Sequence, residues 1–426
     1  MQMVNEQNRY LDNYLPWVVC LSASLFFFYE FIQGNMFASI ADNIMRDFNV
    51  QADRMTYLSS IYYVSNVLFL FVAALVLDKY SIKKTVLLAM LMCVLSTFVL
   101  AYAQSFYLAL FCRFITGIGS AFCFLGPIRL ASHWFPPKRM AMVAGVIVTI
   151  AMTGGMLAQY PLTTLVSQVG WREALVQIGW LGMIMLTIMY FGIIEKPHSQ
   201  QTKEPIKIDT WSRAKLTYLN PQTLRAAFYT SLMNMVIAVF GAMMGSLYLM
   251  ERLSVSKQEA ALVNSMLFLG AIIGGPIIGW VSDKLALRVM PMKVCVLISL
   301  ALILAAMFLP ISLAVMKIIF FLLGFFTAGQ IISYALVAES SPFSMTATAV
   351  SVISLLTQGG YILYQNLFSF LLIRHGQMQM SDDGIPIYSL ADYQFASMIL
   401  PIGLFIAFLS LLGLKETYGH RIAEDK

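Results

Sequence analysis

Apolar runs of roughly 18 to 25 residues recur along this 426-residue chain, each long enough to cross a hydrocarbon core about 30 Å thick. They begin near Leu15, Thr56, Thr85, Phe106, Met140 and Arg172, and again near Arg225, Gln258, Pro291, Leu313, Thr346 and Phe395. Backbone groups in lipid must be satisfied within their own segment, so runs of this kind fold as helices. The expectation is an all-α membrane protein with twelve transmembrane helices. A polar stretch rich in Lys and Arg separates two sets of six. It divides the chain into a first six-helix bundle at 1–194, a cytoplasmic linker at 195–223 and a second bundle at 224–426.

Composition agrees with this reading. Hydrophobic residues make up 59% of the chain and charged residues 11%, where soluble globules hold nearer a quarter of the latter. The net charge of +6 comes mainly from short loops between apolar runs, so it reports membrane orientation and not a nucleic-acid partner. Loops on the side of the termini carry about 18 Lys and Arg against about seven on the other, which puts both termini in the cytoplasm. No small-residue cleavage site follows the first apolar run, which argues against a removable signal peptide. The five cysteines all sit in apolar runs without metal-ligand spacing, so neither a disulfide framework nor a metal site is expected. Nucleophile and base spacings and phosphate-cradling loops are absent too, so no enzyme and no cofactor is expected.

The two halves repeat. Residues 74–84 read ALVLDKYSIKK and residues 279–288 read GWVSDKLALR, so Asp78 and Lys79 recur as Asp283 and Lys284 about 205 residues later. Pro136 with Pro342, Ala141 with Ala347, and Gly154 and Gly155 with Gly359 and Gly360 keep nearly the same offset, as homologous halves would. The doubled motif resembles the loop between helices 2 and 3 of the major facilitator superfamily, repeated between helices 8 and 9. The second copy follows the usual G-x-x-[AS]-D-[RK], and the first departs from it at Ala74, Ser81 and Ile82. Arg113-Phe-Ile-Thr-Gly117-Ile-Gly119 likewise resembles the superfamily's fourth-helix pattern. The resemblance implies two pseudo-symmetric bundles around a cavity, working by alternating access. It also implies a cytoplasmic gate built by Asp78 with Lys83 or Lys84, and by Asp283 with Arg288 and Glu339.

A narrower resemblance lies in Tyr29-Glu30-Phe31, Trp134-Phe-Pro-Pro137 and Gly170-Trp-Arg172. These are similar to a proteobacterial subgroup that includes the permeases by which intracellular bacteria import amino acids and nucleosides from the phagosome. That implies a bacterial inner membrane. In the subgroup the acid is followed four positions on by Arg, where this chain has Gly34.

Ionisable residues inside a span cost at least about 2.5 to 3.5 kcal/mol, so they are functional candidates. Two stand out, Glu30 and Arg113. At 1.5 Å per residue Glu30 lies about 22 Å from the cytoplasmic edge and Arg113 about 10 Å from the outer edge, so the two can meet. A titrating carboxyl beside a permanently charged Arg suits proton coupling, and a static ion pair that fixes packing is the competing reading. In the second span Ser59, Tyr62, Tyr63 and Asn66 fall within about 100° of arc. In the eleventh, Ser354, Thr357, Gln358, Tyr361, Tyr364 and Gln365 fall within about 120°. Tyr29, Gln33, Tyr63, Asn66, Asn234, Gln330, Gln358, Tyr361 and Gln365 are the candidate cavity contacts. The third, sixth, ninth and twelfth spans are nearly pure hydrocarbon and are expected to face lipid.

These features lead to a monomeric secondary transporter of a small-molecule solute. Its expected activity is import of a small polar nutrient, an amino acid, peptide or nucleoside, driven by the proton gradient. The rival readings are an exporter of drugs or siderophores and a membrane sensor that binds without translocating.

Overall fold

The computed structural model describes residues 2–135, 139–195, 220–341, 346–376, 379–380 and 386–420. Side chains are described throughout these except at 2–13, 78, 140–141, 346–348, 379–380 and 386–387. Most of the expected linker lies outside the described residues. Eleven helical segments within them are long and apolar enough to cross a membrane. A further helix of 30 residues, Thr346–His375, stands where the eleventh span was expected. The all-helical expectation holds apart from a two-stranded antiparallel ribbon, β1 (Gln379–Met380) with β2 (Pro386–Ile387), before the last span.

The first six spans are built from α1 (Gln2–Asn35), α2 (Phe37–Asp47), α3 (Ala52–Lys79), α4 (Ile82–Ala101), α5 (Phe106–Ser120), α6 (Leu125–Trp134), α7 (Met140–Leu157), α8 (Tyr160–Val169) and α9 (Trp171–Gly192). The remaining six use α10 (Pro221–Val236), a π-helical segment (Ile237–Met244), α11 (Gly245–Leu253), α12 (Lys257–Leu285), α13 (Val289–Phe308), α14 (Leu313–Thr327), a 3-10 turn (Ala328–Ile331), α15 (Ile332–Glu339), α16 (Thr346–His375), α17 (Leu390–Ser397) and α18 (Ile399–Leu411). More elements than spans result because several spans are broken. Pro161 sits in the first turn of α8, where its missing N–H costs nothing, whereas a helix continued from α7 would lose a bond there.

Contacts divide the chain into two compact units. The first comprises Met1–Met36 and Ile61–Gln201. In it α1 packs on α7 and α9, and α4 on α5 and α9. Two glycines permit the closest approaches. A Cβ at Gly154 would overlap the Phe28 carbonyl, and one at Gly117 would overlap the Tyr62 carbonyl and the Ser65 hydroxyl. Trp180, Ile184, Ile188 and Phe191 form an exposed apolar stripe along α9 at helical spacing, as a lipid-facing helix requires.

The second unit comprises Phe37–Ser60 and Thr202–Lys426. Here α12 packs on α14, α10 on α16 and α18, and α13 on α18. The segment Phe37–Ser60, which the sequence reading places in the first bundle, is held here by polar bonds as well as by packing of α2 on the π-helical segment. Lys257 Nζ reaches Asp42 Oδ1 at 2.5 Å and Asn43 Oδ1 at 3.3 Å, and the Thr56 hydroxyl bonds that of Ser369.

Candidate functional site

The first unit brings the two expected ionisable residues close through a third. Glu30 on α1 and Arg113 on α5 are 1% and 0% exposed. Tyr62 on α3 donates its hydroxyl to Glu30 Oε2 at 3.0 Å, and the Arg113 guanidinium lies over the Tyr62 ring, 4.6 Å from its centroid. Tyr62 therefore links the carboxylate, by a hydrogen bond, to the cation, by its π face. The sequence reading placed Tyr62 on a polar stripe and did not name it in the site. Arg113 Nη1 also donates to Gln33 Oε1 at 3.5 Å, and Gln33 Nε2 donates to Thr97 Oγ1 at 3.0 Å. The Cys93 thiol faces the same carboxyl and donates to the Thr116 carbonyl at 3.5 Å.

The other candidates of this unit divide. Tyr63 donates to the Gly34 carbonyl at 3.1 Å, and Asn66 Nδ2 donates to Ser120 Oγ at 2.7 Å. Gly34 leaves no room to spare, since a Cβ there would stand 3.2 Å from the Tyr63 hydroxyl. Tyr29, expected among the cavity contacts, is fully buried, donating to Thr97 Oγ1 at 3.0 Å with its ring against Gly182 of α9. Thr97 lies on a span expected to face lipid, so one face of α4 turns inward and carries polar partners. Its signal in the sequence was the short polar run Ser96-Thr97 in an otherwise apolar helix.

In the second unit Gln330 Nε2 donates to Asn234 Oδ1 at 3.2 Å, so these two candidates meet, and Asn234 Nδ2 donates to the Thr230 carbonyl at 3.0 Å. Gln365 is fully buried and donates to the Ala238 carbonyl at 3.1 Å. Asn264 Nδ2 donates to the Phe240 carbonyl at 2.8 Å. Both carbonyls belong to the π-helical segment, whose wider turn lets side chains take backbone acceptors. Gln358 is half-buried and Tyr361 buried on α16, one to two turns before Gln365.

At the predicted gate the second copy is brought together and the first cannot be followed fully, because the Asp78 side chain lies outside the described residues. Arg288 contacts Asp283 at 2.5 Å and grips Glu339 with Nε at 3.2 Å and Nη2 at 2.7 Å. Burial works against the charge on Arg288, yet the hydrogen bonds to Glu339 and Asp283 carry its pKa above the usual arginine value. Glu416, not anticipated, accepts from the backbone N–H groups of Arg288 at 2.5 Å and Val289 at 2.8 Å, at the start of α13. Glu195 does the equivalent at the start of α4, accepting from Ser81 Oγ at 2.7 Å and from the Lys83 N–H at 2.8 Å. A carboxylate at a helix N-terminus meets unpaired N–H groups and the positive end of the dipole. Lys83 extends its ammonium over the Tyr190 ring at 5.1 Å, and the Lys84 N–H is capped by Ser81 Oγ at 3.2 Å.

Known proteins resemble this chain in sequence and in fold. The sequence profile of the Major Facilitator Superfamily matches residues 20–365. A hexuronate transporter of Bacillus subtilis (strain 168) is 25% identical over 264 residues, 60% of this chain and 61% of that protein, so the match spans somewhat under two thirds of the relative's length. The fold matches a bacterial homologue of the human lysosomal transporter Spinster, with TM-score 0.70 and 20% identity over 93% of this chain and 95% of that one. It also matches the nucleoside transporter NupG, with TM-score 0.71 and 12% identity over 92% and 99%. With the profile covering most of its length, this multi-pass membrane protein belongs to the major facilitator superfamily.

Proposed function

We propose that the chain is a secondary transporter of a bacterial inner membrane that couples proton movement to import of a small polar nutrient. It acts as a monomer with both termini cytoplasmic, alternating access between its two bundles. The observation that carries this reading is the buried Glu30–Tyr62–Arg113 cluster. A charged pair at this depth is costly, and a purely structural role is served as well by apolar packing. Tyr62 connects the charges while leaving the carboxyl free to gain and lose a proton beside an Arg that stays charged. A relative named for hexuronate and a structural neighbour named for nucleosides support a small polar solute.

The test uses the purified protein in liposomes with an imposed pH gradient, supplied with labelled hexuronates, amino acids and nucleosides. Glu30→Gln is expected to lose proton-driven accumulation while keeping solute counterflow. Accumulation that survives with unchanged pH dependence sinks the coupling role, and loss of counterflow together with folding returns the cluster to a static ion pair.

A further inference from the structure

Gly170-Trp-Arg172 stands out in the sequence and lies apart from both the buried cluster and the gate. Arg172, half-buried in the first turn of α9, donates from Nη1 to the carbonyls of Ala101 at 3.0 Å and Ala103 at 2.7 Å, where α4 ends. Its guanidinium lies over the Trp171 ring, 4.3 Å from the centroid, so it is held from two sides. A cation on the last carbonyls of a helix is an ordinary cap. Here it also borders an open cavity of about 290 Å³, lined by Ala101, Tyr102, Gln104, Arg172, Glu173 and Val176. Beside the fixed cation stands the exposed carboxylate of Glu173, and the pair complements a zwitterion better than either single charge.

The surface that runs away from the cavity is apolar. On α9 Val176 is followed at intervals of four by Trp180, Ile184 and Ile188, all three exposed. On α4 Leu88, Leu95 and Val99 are exposed and lead to Tyr102 at helical spacing. The two helices pack together, with the Trp180 ring edge-on to Phe98 at 5.6 Å. All of these residues belong to the first unit, at and below the end of α4 remote from Ser81 and Glu195. Apolar stripes on a spanning helix meet acyl chains, and aromatic and charged residues at their head meet headgroups.

We propose that this cavity is a headgroup site for a zwitterionic phospholipid with a primary ammonium, phosphatidylethanolamine, whose acyl chains lie along the exposed stripes of α4 and α9. Arg172 pairs with the lipid phosphate, for which a guanidinium is well shaped. Glu173 accepts N–H bonds from the ammonium. Phosphatidylcholine carries the same charges, but its methylated nitrogen donates no hydrogen bond. Phosphatidylglycerol brings a net negative charge towards Glu173 with no cation to meet it. The bound lipid joins the end of α4 to the start of α9, and the site is independent of which solute is carried.

The experiment mixes the purified full-length protein in dodecyl maltoside with equal amounts of phosphatidylethanolamine, its dimethyl derivative, phosphatidylcholine and phosphatidylglycerol of matched chains. Native mass spectrometry counts the lipid retained, with melting temperature in parallel. The ethanolamine lipid is expected to be retained roughly ten-fold better than phosphatidylcholine, the worth of one hydrogen bond to a charged group, with the dimethyl lipid between them. Glu173→Gln keeps the shape and removes the charge, so the preference over phosphatidylcholine should all but vanish and phosphatidylglycerol should gain. Val176→Trp fills the cavity without altering either charge, and should abolish the retained lipid and its melting shift. Retention of the four lipids without order, or an ethanolamine preference that survives both variants, places lipid binding elsewhere on the surface and overturns the site. Displacement by free phosphoethanolamine at the same concentration as the lipid shows that the acyl stripes contribute nothing, and overturns the lipid as occupant.

Discussion

Tyr62 donates its hydroxyl to Glu30 Oε2 at 3.0 Å while its ring carries the Arg113 guanidinium. The two functions of one side chain separate by substitution. Tyr62→Phe keeps the ring and removes the donor, with an expected loss of about 1.5 to 3 kcal/mol for a hydrogen bond to a charged group. Tyr62→Leu removes both, and is expected to cost up to about 2 kcal/mol more for the desolvated cation–π contact. Chemical unfolding in detergent distinguishes them, and equal losses argue that Arg113 does not depend on the ring.

Gly117→Ala is expected to push α3 from α5, because its Cβ would overlap the Tyr62 carbonyl. Overpacking of this kind costs about 1 to 3 kcal/mol, and here it displaces the residue that links Glu30 to Arg113. Gly145→Ala is the control, since nothing lies within 4 Å of a Cβ there and the helical residue gains propensity. The pair should differ in both melting temperature and uptake.

Arg288→Ala leaves Glu339 and Asp283 without their shared cation and is expected to destabilise by about 3 kcal/mol. Glu416→Ala removes the acceptor for two N–H groups of α13 and should cost about 1 kcal/mol. Arg288 bonds Glu339 through its guanidinium and Glu416 only through its backbone N–H, which alanine keeps, so the two losses should be close to additive in a double-mutant cycle.

Tyr388, before the last span, has its phenol pushed by burial from 10.0 up to about 12. Its folded state favours the neutral form. The stabilising contribution is therefore whole below pH 10 and is lost as pH rises through about 12. Tyr388→Phe should flatten that alkaline decline in an unfolding series from pH 9 to pH 12, and an unchanged decline would place its origin elsewhere.

Much of the fold was legible because lipid imposes it. A run such as 85–101 can satisfy its backbone only as a helix, so length and apolarity suffice to place it. Asp283 and Arg288 stood in the repeated motif, and Glu339 joined them only through the family resemblance, since it lies 51 residues beyond Arg288. What escaped depended on helix rotation or distance in sequence. Thr97 looked like an isolated polar residue in a lipid-facing span, and only the rotation of α4 sets it against Tyr29 and Gln33. The π-helical segment has the same apolar composition as an ordinary helix, and the side chains that take its carbonyls lie well beyond it, at Asn264 and Gln365. Glu195 and Glu416 each cap a helix remote in sequence, and no local spacing announces such a partner.

Glu416 lies beyond the last helix, yet the first turn of α13 depends on it, and Gln222 Nε2 donates to the neighbouring Lys415 carbonyl at 2.7 Å. The short tail is thus a closing clasp on the second unit. Trimming the chain at Leu414, by a protease or by an engineer placing a fusion tag, would expose a helix start and undo one support of the Arg288 cluster. Tags belong beyond His420.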